Sequence, residues 1–126
     1  MFKGFESILI GSENAGELAK FYREVVGLKQ TMEAEMGDHH EKVFGFATGN
    51  SVGLAILDHS KVKGKNVLPD RIMFNLEVDD IEKEVKRLKT KGLKPVTDIY
   101  HVENYGLIVT FKDTDGNYFQ LVKTKE

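Results

Sequence analysis

Four histidines and no cysteine set the first limits on the chemistry of this sequence. Without thiols, disulfides and cysteine-ligated metal sites are excluded. Ligand-type side chains are dense in one place, His39-His40-Glu41, preceded by Gly37-Asp38. Neighbours in an extended strand point to opposite faces, so His39 and His40 reach one ion only if the segment is a loop. Asp38, His40 and Lys42 would share a strand face. An exposed hairpin tip is the plain expectation, a substrate-contacting loop is the alternative, and a metal site stands behind both. His59 opens a polar stretch and is expected in solvent. His101, between Tyr100 and Tyr105, is either a surface residue or part of a cleft lining. There is no Ser-His-Asp arrangement and no dinucleotide fingerprint. The GNSVG segment at 49–53 lies between two strands with no helix after it, so it does not read as a phosphate cradle.

The elements that must position these residues follow from hydrophobic spacing. A short apolar strand covers 8–10. Asn14 caps a helix, with Glu17 as the reciprocal capping-box partner. Leu18, Phe21, Tyr22 and Val25 form its buried face, and Gly27 ends it. Strands follow at 28–36, 42–48 and 52–57. A polar linker covers 59–70. A second unit repeats the plan: a strand at 71–78, a helix capped by Asp79 with Glu82 three residues on, and Gly92 closing it. Strands then follow at 94–102, bent near Asp98, at 107–112, and at 117–123. Gly27-Leu28-Lys29 recurs as Gly92-Leu93-Lys94. An internal repeat of this kind fixes an architecture. It implies an α+β fold of two tandem βαβββ modules, at 1–58 and 71–126, within one domain spanning 1–126. The expected sheet is curled and mixed, wrapped around a cleft, with the helices on its outer face.

Strand alternation divides the residues between the two faces. Ile8, Ile10, Leu54, Ile56, Ile72, Phe74, Leu76, Val78, Phe119 and Leu121 take the helix side. Ser7, Leu9, Gly11, Gly53, Ala55, Leu57, Arg71, Met73, Asn75, Glu77, Tyr118, Gln120 and Val122 take the cleft side. Phe44 and Phe46 share a face, and either face could be the cleft. Asn75 and Gln120 are the polar groups expected to orient a bound molecule, since a buried amide needs partners.

Net charge is −2, from 18 basic and 20 acidic residues. That lacks the basic excess of a nucleic-acid module. The lysines at 83–94 interleave with glutamates and read as a solvated helix face. No run approaches a membrane span, and the first residues, MFKGFESILIG, lack the order of a signal peptide. The expected location is the cytoplasm, with no membrane or nucleic-acid partner.

Three segments carry a family resemblance: ELAKFYREVVGL (17–28), VDDIEKEVKRLKTKG (78–92) and FKDTDGNYFQLV (111–122). They resemble the vicinal oxygen chelate superfamily, which includes glyoxalase I, bleomycin-resistance proteins and extradiol dioxygenases. The last segment is similar to that family's Phe-x-Asp-Pro-Asp-Gly-Asn closing hairpin, with Thr114 in place of proline. The resemblance implies metal ligands, usually His or Glu, at the positions of Ser7, Ala55, Met73 and Gln120. Glu6 is the alternative for the first, but alternation favours Ser7. Alanine offers no donor, methionine a soft thioether, and serine and glutamine only weak neutral oxygens, so this set would not hold a catalytic divalent ion. Gln120 also cannot act as the base that glyoxalase I chemistry uses near its metal.

The reading is therefore a glyoxalase-fold protein that binds a small organic molecule without metal or other cofactor, in the manner of bleomycin-resistance proteins. Phe44 and Phe46 would serve as stacking walls, or else as core. The ligand-binding set is Ser7, Ala55, Met73, Asn75, Gln120, Phe44, Phe46, His40 and His101, with no catalytic residue assigned. The resemblance implies a homodimer. Two rivals remain: a metal-dependent glyoxalase- or dioxygenase-type enzyme using displaced ligands such as His40, His101 or Glu77, and an interaction module with a vestigial cleft.

Overall fold

The computed structural model describes residues 1–125, in two compact units divided between Gly64 and Lys65. In the first, β1 (Ser7–Ser12) leads into α1 (Ala15–Phe21), then β2 (Lys29–Met36), β3 (Glu41–Ala47) and β4 (Gly53–Asp58). These four strands form one sheet in the order β1-β4-β3-β2, with β1 parallel to β4 and the other pairs antiparallel. The second unit repeats this with β5 (Phe74–Glu77), α2 (Ile81–Thr90), β6 (Tyr100–Val102), β7 (Gly106–Lys112) and β8 (Tyr118–Thr124), ordered β5-β8-β7-β6. Both sheets are mixed, as expected of two βαβββ modules. Among the described residues, no helix is long and apolar enough to cross a membrane.

Each module closes its own core on one sheet face. In the first, Leu18, Ala19 and Tyr22 are fully buried with Leu54 and Ile56. Phe46 pairs with Leu54 and Phe44 with Ile56, so both phenylalanines share that face, and they are 2% and 5% exposed. In the second, Ile81, Val85 and Leu88 are buried with Val109, Phe111, Phe119 and Leu121. Phe119 stacks on Phe111 at 5.9 Å and on Phe74 at 6.3 Å between ring centroids. Such aromatic contacts add to what burial alone contributes.

The helix ends depart from expectation in detail. Asn14 does cap α1, accepting from the Glu17 backbone N–H at 3.2 Å. Its own N–H goes to the Ser12 hydroxyl at 3.0 Å, where a capping box would have used the Glu17 side chain. Asp58, which the sequence placed at the edge of a linker, adds a second cap: its carboxylate accepts from Ala15 N–H at 2.9 Å and Lys42 N–H at 3.1 Å. Beyond Phe21 the helix widens into a π-helical turn over Tyr22–Val26, where Gly27 and Leu28 both donate to the Tyr22 carbonyl. In α2 the cap is Asp80, bonded to Lys83 N–H at 3.1 Å, and not the expected Asp79. Gly27 and Gly92 both take left-handed backbone, with φ of 93° and 87°, so the sequence repeat is also a structural one.

Two predicted strands are shorter than expected. β5 begins at Phe74, because Arg71 N–H turns back to the Leu68 carbonyl after Pro69. β6 keeps only Tyr100–Val102 of the expected 94–102. Pro95 has no N–H to give the ladder, and of that upstream stretch Val96 alone bonds across, to the Thr110 carbonyl at 2.8 Å.

Candidate functional site

The face opposite each core is where side chains are free to meet a ligand. Strand register names its middle. In the first module Leu9 pairs with Ala55, and Ala55 with Gly45. In the second Asn75 pairs with Gln120, and Gln120 with Thr110. The same topological place is thus apolar in one module and polar in the other.

The polar side is organised. Gln120 Nε2 donates to the Thr110 hydroxyl at 2.8 Å, both residues being partly or largely buried. No other hydrogen bond of the Gln120 amide occurs among the described residues, which leaves its second end open to a ligand. Asn75 Nδ2 donates to the Tyr105 hydroxyl at 3.3 Å, and the Thr124 hydroxyl donates to the Glu77 carboxylate. Beside Gln120 and Thr110 lies a cavity of about 420 Å³, within the range of small-molecule sites. Met73 and Val96 supply apolar wall, and Tyr100 and Tyr118 supply rings. Asp70, Thr97 and Asp98 complete the rim.

The candidate residues separate accordingly. Met73 and Gln120 line the cavity, and Asn75 is Gln120's strand partner. Ser7 and Ala55 lie on the open face of the first sheet, two positions apart in register. Phe44 and Phe46 are corrected to core, since their face is the one that α1 covers. His101 is also displaced: it pairs with Leu107, which puts it on the face opposite Tyr100 and Ile108 and away from Gln120. Tyr100, one residue earlier, is the side chain that reaches the cavity. His40 sits in the 37–40 turn, with its side chain 80% exposed and Nδ1 3.3 Å from Glu35. That is the plain hairpin tip.

Sequence reasoning missed Asp70, Val96, Thr97 and Asp98 because all four fell in stretches taken as linker or as a bent strand. Part of that linker is built structure. Asn66 donates from its backbone to the Asp115 carbonyl at 2.8 Å and from its side chain to Asn117 at 3.0 Å. Lys65 Nζ donates to the Thr114 carbonyl. The closing hairpin, itself organised by buried Asp113, thus fixes the segment that leads to Asp70. Its Asp-Gly-Asn signal was visible in the sequence, and its docking function was not.

A model of the glyoxalase/bleomycin resistance protein/dioxygenase superfamily matches residues 4–121. The chain belongs to that superfamily. The YetH protein of Bacillus subtilis (strain 168), which is uncharacterized, is 27% identical over 121 residues, covering 96% of this chain and 98% of its own. Among solved structures, TnmS3, an antibiotic binding protein from Streptomyces sp. CB03234, superposes with a TM-score of 0.79 at 20% identity, over 98% of both chains. A mutant of the fosfomycin resistance protein FosX from Listeria monocytogenes, complexed with Mn(II) and 1S,2S-dihydroxypropylphosphonic acid, gives 0.72 at 14% identity, over 99% of this chain and 95% of its own. At these identities both structures speak for the fold alone.

Metal-dependent members of the superfamily hold a divalent ion, so the donor set matters. At the positions where the resemblance implies ligands, the side chains do not suit one. Ser7 and Ala55 in the first module, and Met73 and Gln120 in the second, bring no carboxylate and no imidazole. Among the described residues, no three His, Cys, Asp or Glu side chains are grouped to hold an ion.

Proposed function

We propose that this protein binds a small organic molecule without a metal, as a binder in the manner of the antibiotic-binding member of its superfamily. The cavity beside Gln120 carries the reading. Its wall joins rings, apolar side chains and one amide already anchored by Thr110, and hydrogen-bonded amides of this kind orient ligands. The displaced-ligand enzyme draws no support from the side chains it would need. His101 and Glu77 lie on opposite faces of their sheet, and His40 is at a solvent-exposed turn.

The same proposal includes a homodimer acting in the cytoplasm. The open face of the first sheet exposes Leu9, Met32 and Met36 at 65%, 44% and 58%, a patch of the kind that marks association surfaces. Sedimentation equilibrium over a concentration series should give twice the 14.2 kDa chain mass; a monomer throughout would remove the dimer and leave the binder intact.

Thermal unfolding of the purified protein with a panel of planar antibiotics, with and without EDTA, tests the binding itself. A binder gains several degrees with at least one compound, and the gain survives the chelator. Stoichiometric divalent metal in the purified protein, with catalytic activity lost on chelation, would sink the reading.

A further inference from the structure

The charge and wall chemistry of the cavity beside Gln120 narrow the class of ligand; this inference rests on the binding reading above. The lining contains two carboxylates, Asp70 and Asp98, and no Lys, Arg or His. Two rings, Tyr100 and Tyr118, stand in the same wall. An aromatic face attracts a cation through its quadrupole, and a carboxylate attracts one by charge. The Tyr118 ring already does so: the Lys112 ammonium lies 6.0 Å from its centroid. Lys112 is outside the lining, in which Asp70 and Asp98 are the charged side chains. A phosphonate such as the one in the FosX complex would meet like charge here with no cationic lining residue to offset it. The polar groups that remain, Thr97, Thr110 and Gln120, are neutral and suit either donors or acceptors.

We propose that this cavity selects a cationic planar aromatic molecule, its ring against Tyr100 and Tyr118 and its protonated nitrogen toward Asp70 and Asp98. Both aspartates are exposed, so each contributes modestly and the preference is salt-sensitive.

Three acridines that share one ring system and differ in charge make the test: an aminoacridinium cation, neutral acridine and an acridine carboxylate. Binding is read by fluorescence titration at low salt, on the wild type and on the Asp70→Asn, Asp98→Asn double variant. The cation should bind about ten-fold tighter than neutral acridine, as expected of two exposed charge pairs, and the carboxylate weakest. The double variant should bind all three alike, with a urea unfolding midpoint close to that of the wild type as its folding control. Equal binding of cation and neutral ring, or a preference that survives in the double variant, would overturn the charge selection while leaving the cavity a binding site. Failure of all three to bind would overturn it too, and the binding reading would then rest on the antibiotic panel alone.

Discussion

The two modules share strand order, helix placement and a left-handed glycine at the helix end, yet they present opposite chemistry on their open faces. Leu9, Ala55 and Gly45 occupy the middle of the first sheet, and Asn75, Gln120 and Thr110 the middle of the second. The core faces do not diverge in this way. Ile10, Ile56 and Phe44 in one module answer to Leu76, Leu121 and Val109 in the other, all apolar. Strand parity therefore separates two duties. One parity must bury apolar area to hold the helix, and each large side chain there contributes about 1.5–3 kcal/mol. The other parity carries less of that demand, although Ile108 and Val122 are buried on it in the second module, and on it a repeated fold can place an apolar surface in one half and a polar cavity in the other.

The largest test of this contrast uses glycines in the homologous third and seventh strands. At Gly106, φ is 140° and an added Cβ would run into the Lys123 backbone carbonyl. At Gly45, an added Cβ would meet Met32 Cγ at 2.7 Å, and Met32 is a flexible side chain 44% exposed. Gly106→Ala should cost about 3 kcal/mol or more, since neither the conformation nor the backbone neighbour can yield. Gly45→Ala should cost about 1 kcal/mol as Met32 swings aside. Urea unfolding midpoints measure both. Equal losses would mean that the start of β7 is as adaptable as the first module's open face.

The next test compares the hairpin turns that follow those strands. Asp113, 5% exposed, accepts from the backbone N–H groups of Asp115 and Asn117, each at 2.9 Å, and from the Asn117 side chain at 3.0 Å. Its counterpart in the first module, Asn50, accepts from the Val52 N–H and the Thr48 hydroxyl at an exposed site. Asp113→Ala strands several donors and should cost about 2–3 kcal/mol; Asn50→Ala, open to water, should cost under about 1 kcal/mol. Loss of the Asp113 turn should also loosen the 65–70 segment that it docks, read as faster amide exchange at Asn66, whose N–H is held by the Asp115 carbonyl.

What the sequence disclosed follows the same division. The repeat, the α+β architecture and the faces of β1, β4, β5 and β8 were legible, because burial imposes period-two and helical spacing on the chain itself. Phe44 and Phe46 stayed ambiguous because alternation gives parity without saying which parity the helix covers; pairing with Ile56 and Leu54 resolves it. His101 was misplaced through the bend before it. With the 94–102 strand cut short by Pro95, only the pairing of β6 with β7 assigns His101 to one face and Tyr100 to the other. Asp70 and Asp98 could not be found at all, since they reach the cavity from loops whose course is set by distant hydrogen bonds. Met73 and Gln120 could be placed on the cavity wall, because they sit on or beside the parallel β5–β8 pair that the motif FKDTDGNYFQLV announces.

Ligand affinity offers a finer cut between the modules. If the polar cavity is the binding site, Gln120→Ala should weaken the best ligand from the antibiotic panel about ten-fold, the worth of one oriented hydrogen bond. Ser7→Ala, on the open face of the first sheet, should change affinity less than about two-fold, the scale of a surface substitution. Isothermal titration on both variants decides it. The reverse ranking would transfer the site to the first module.

The smallest expected effect lies at the turns before β3 and β7, where each module puts a non-glycine residue in left-handed backbone: His40 at φ 53° and Asn104 at φ 65°. Asparagine tolerates that region better than most residues. Glycine at either place removes the Cβ strain but adds freedom to the unfolded chain. His40→Gly also gives up the 3.3 Å contact between Nδ1 and Glu35, which at this exposure contributes little. The balance should leave His40→Gly within about 0.5 kcal/mol of the wild type, on the stabilised side, and Asn104→Gly slightly destabilised. Affinity for the best panel ligand should be unchanged in both. A loss of binding in His40→Gly with stability intact would return that histidine to the site and make the first module's hairpin tip a partner in recognition.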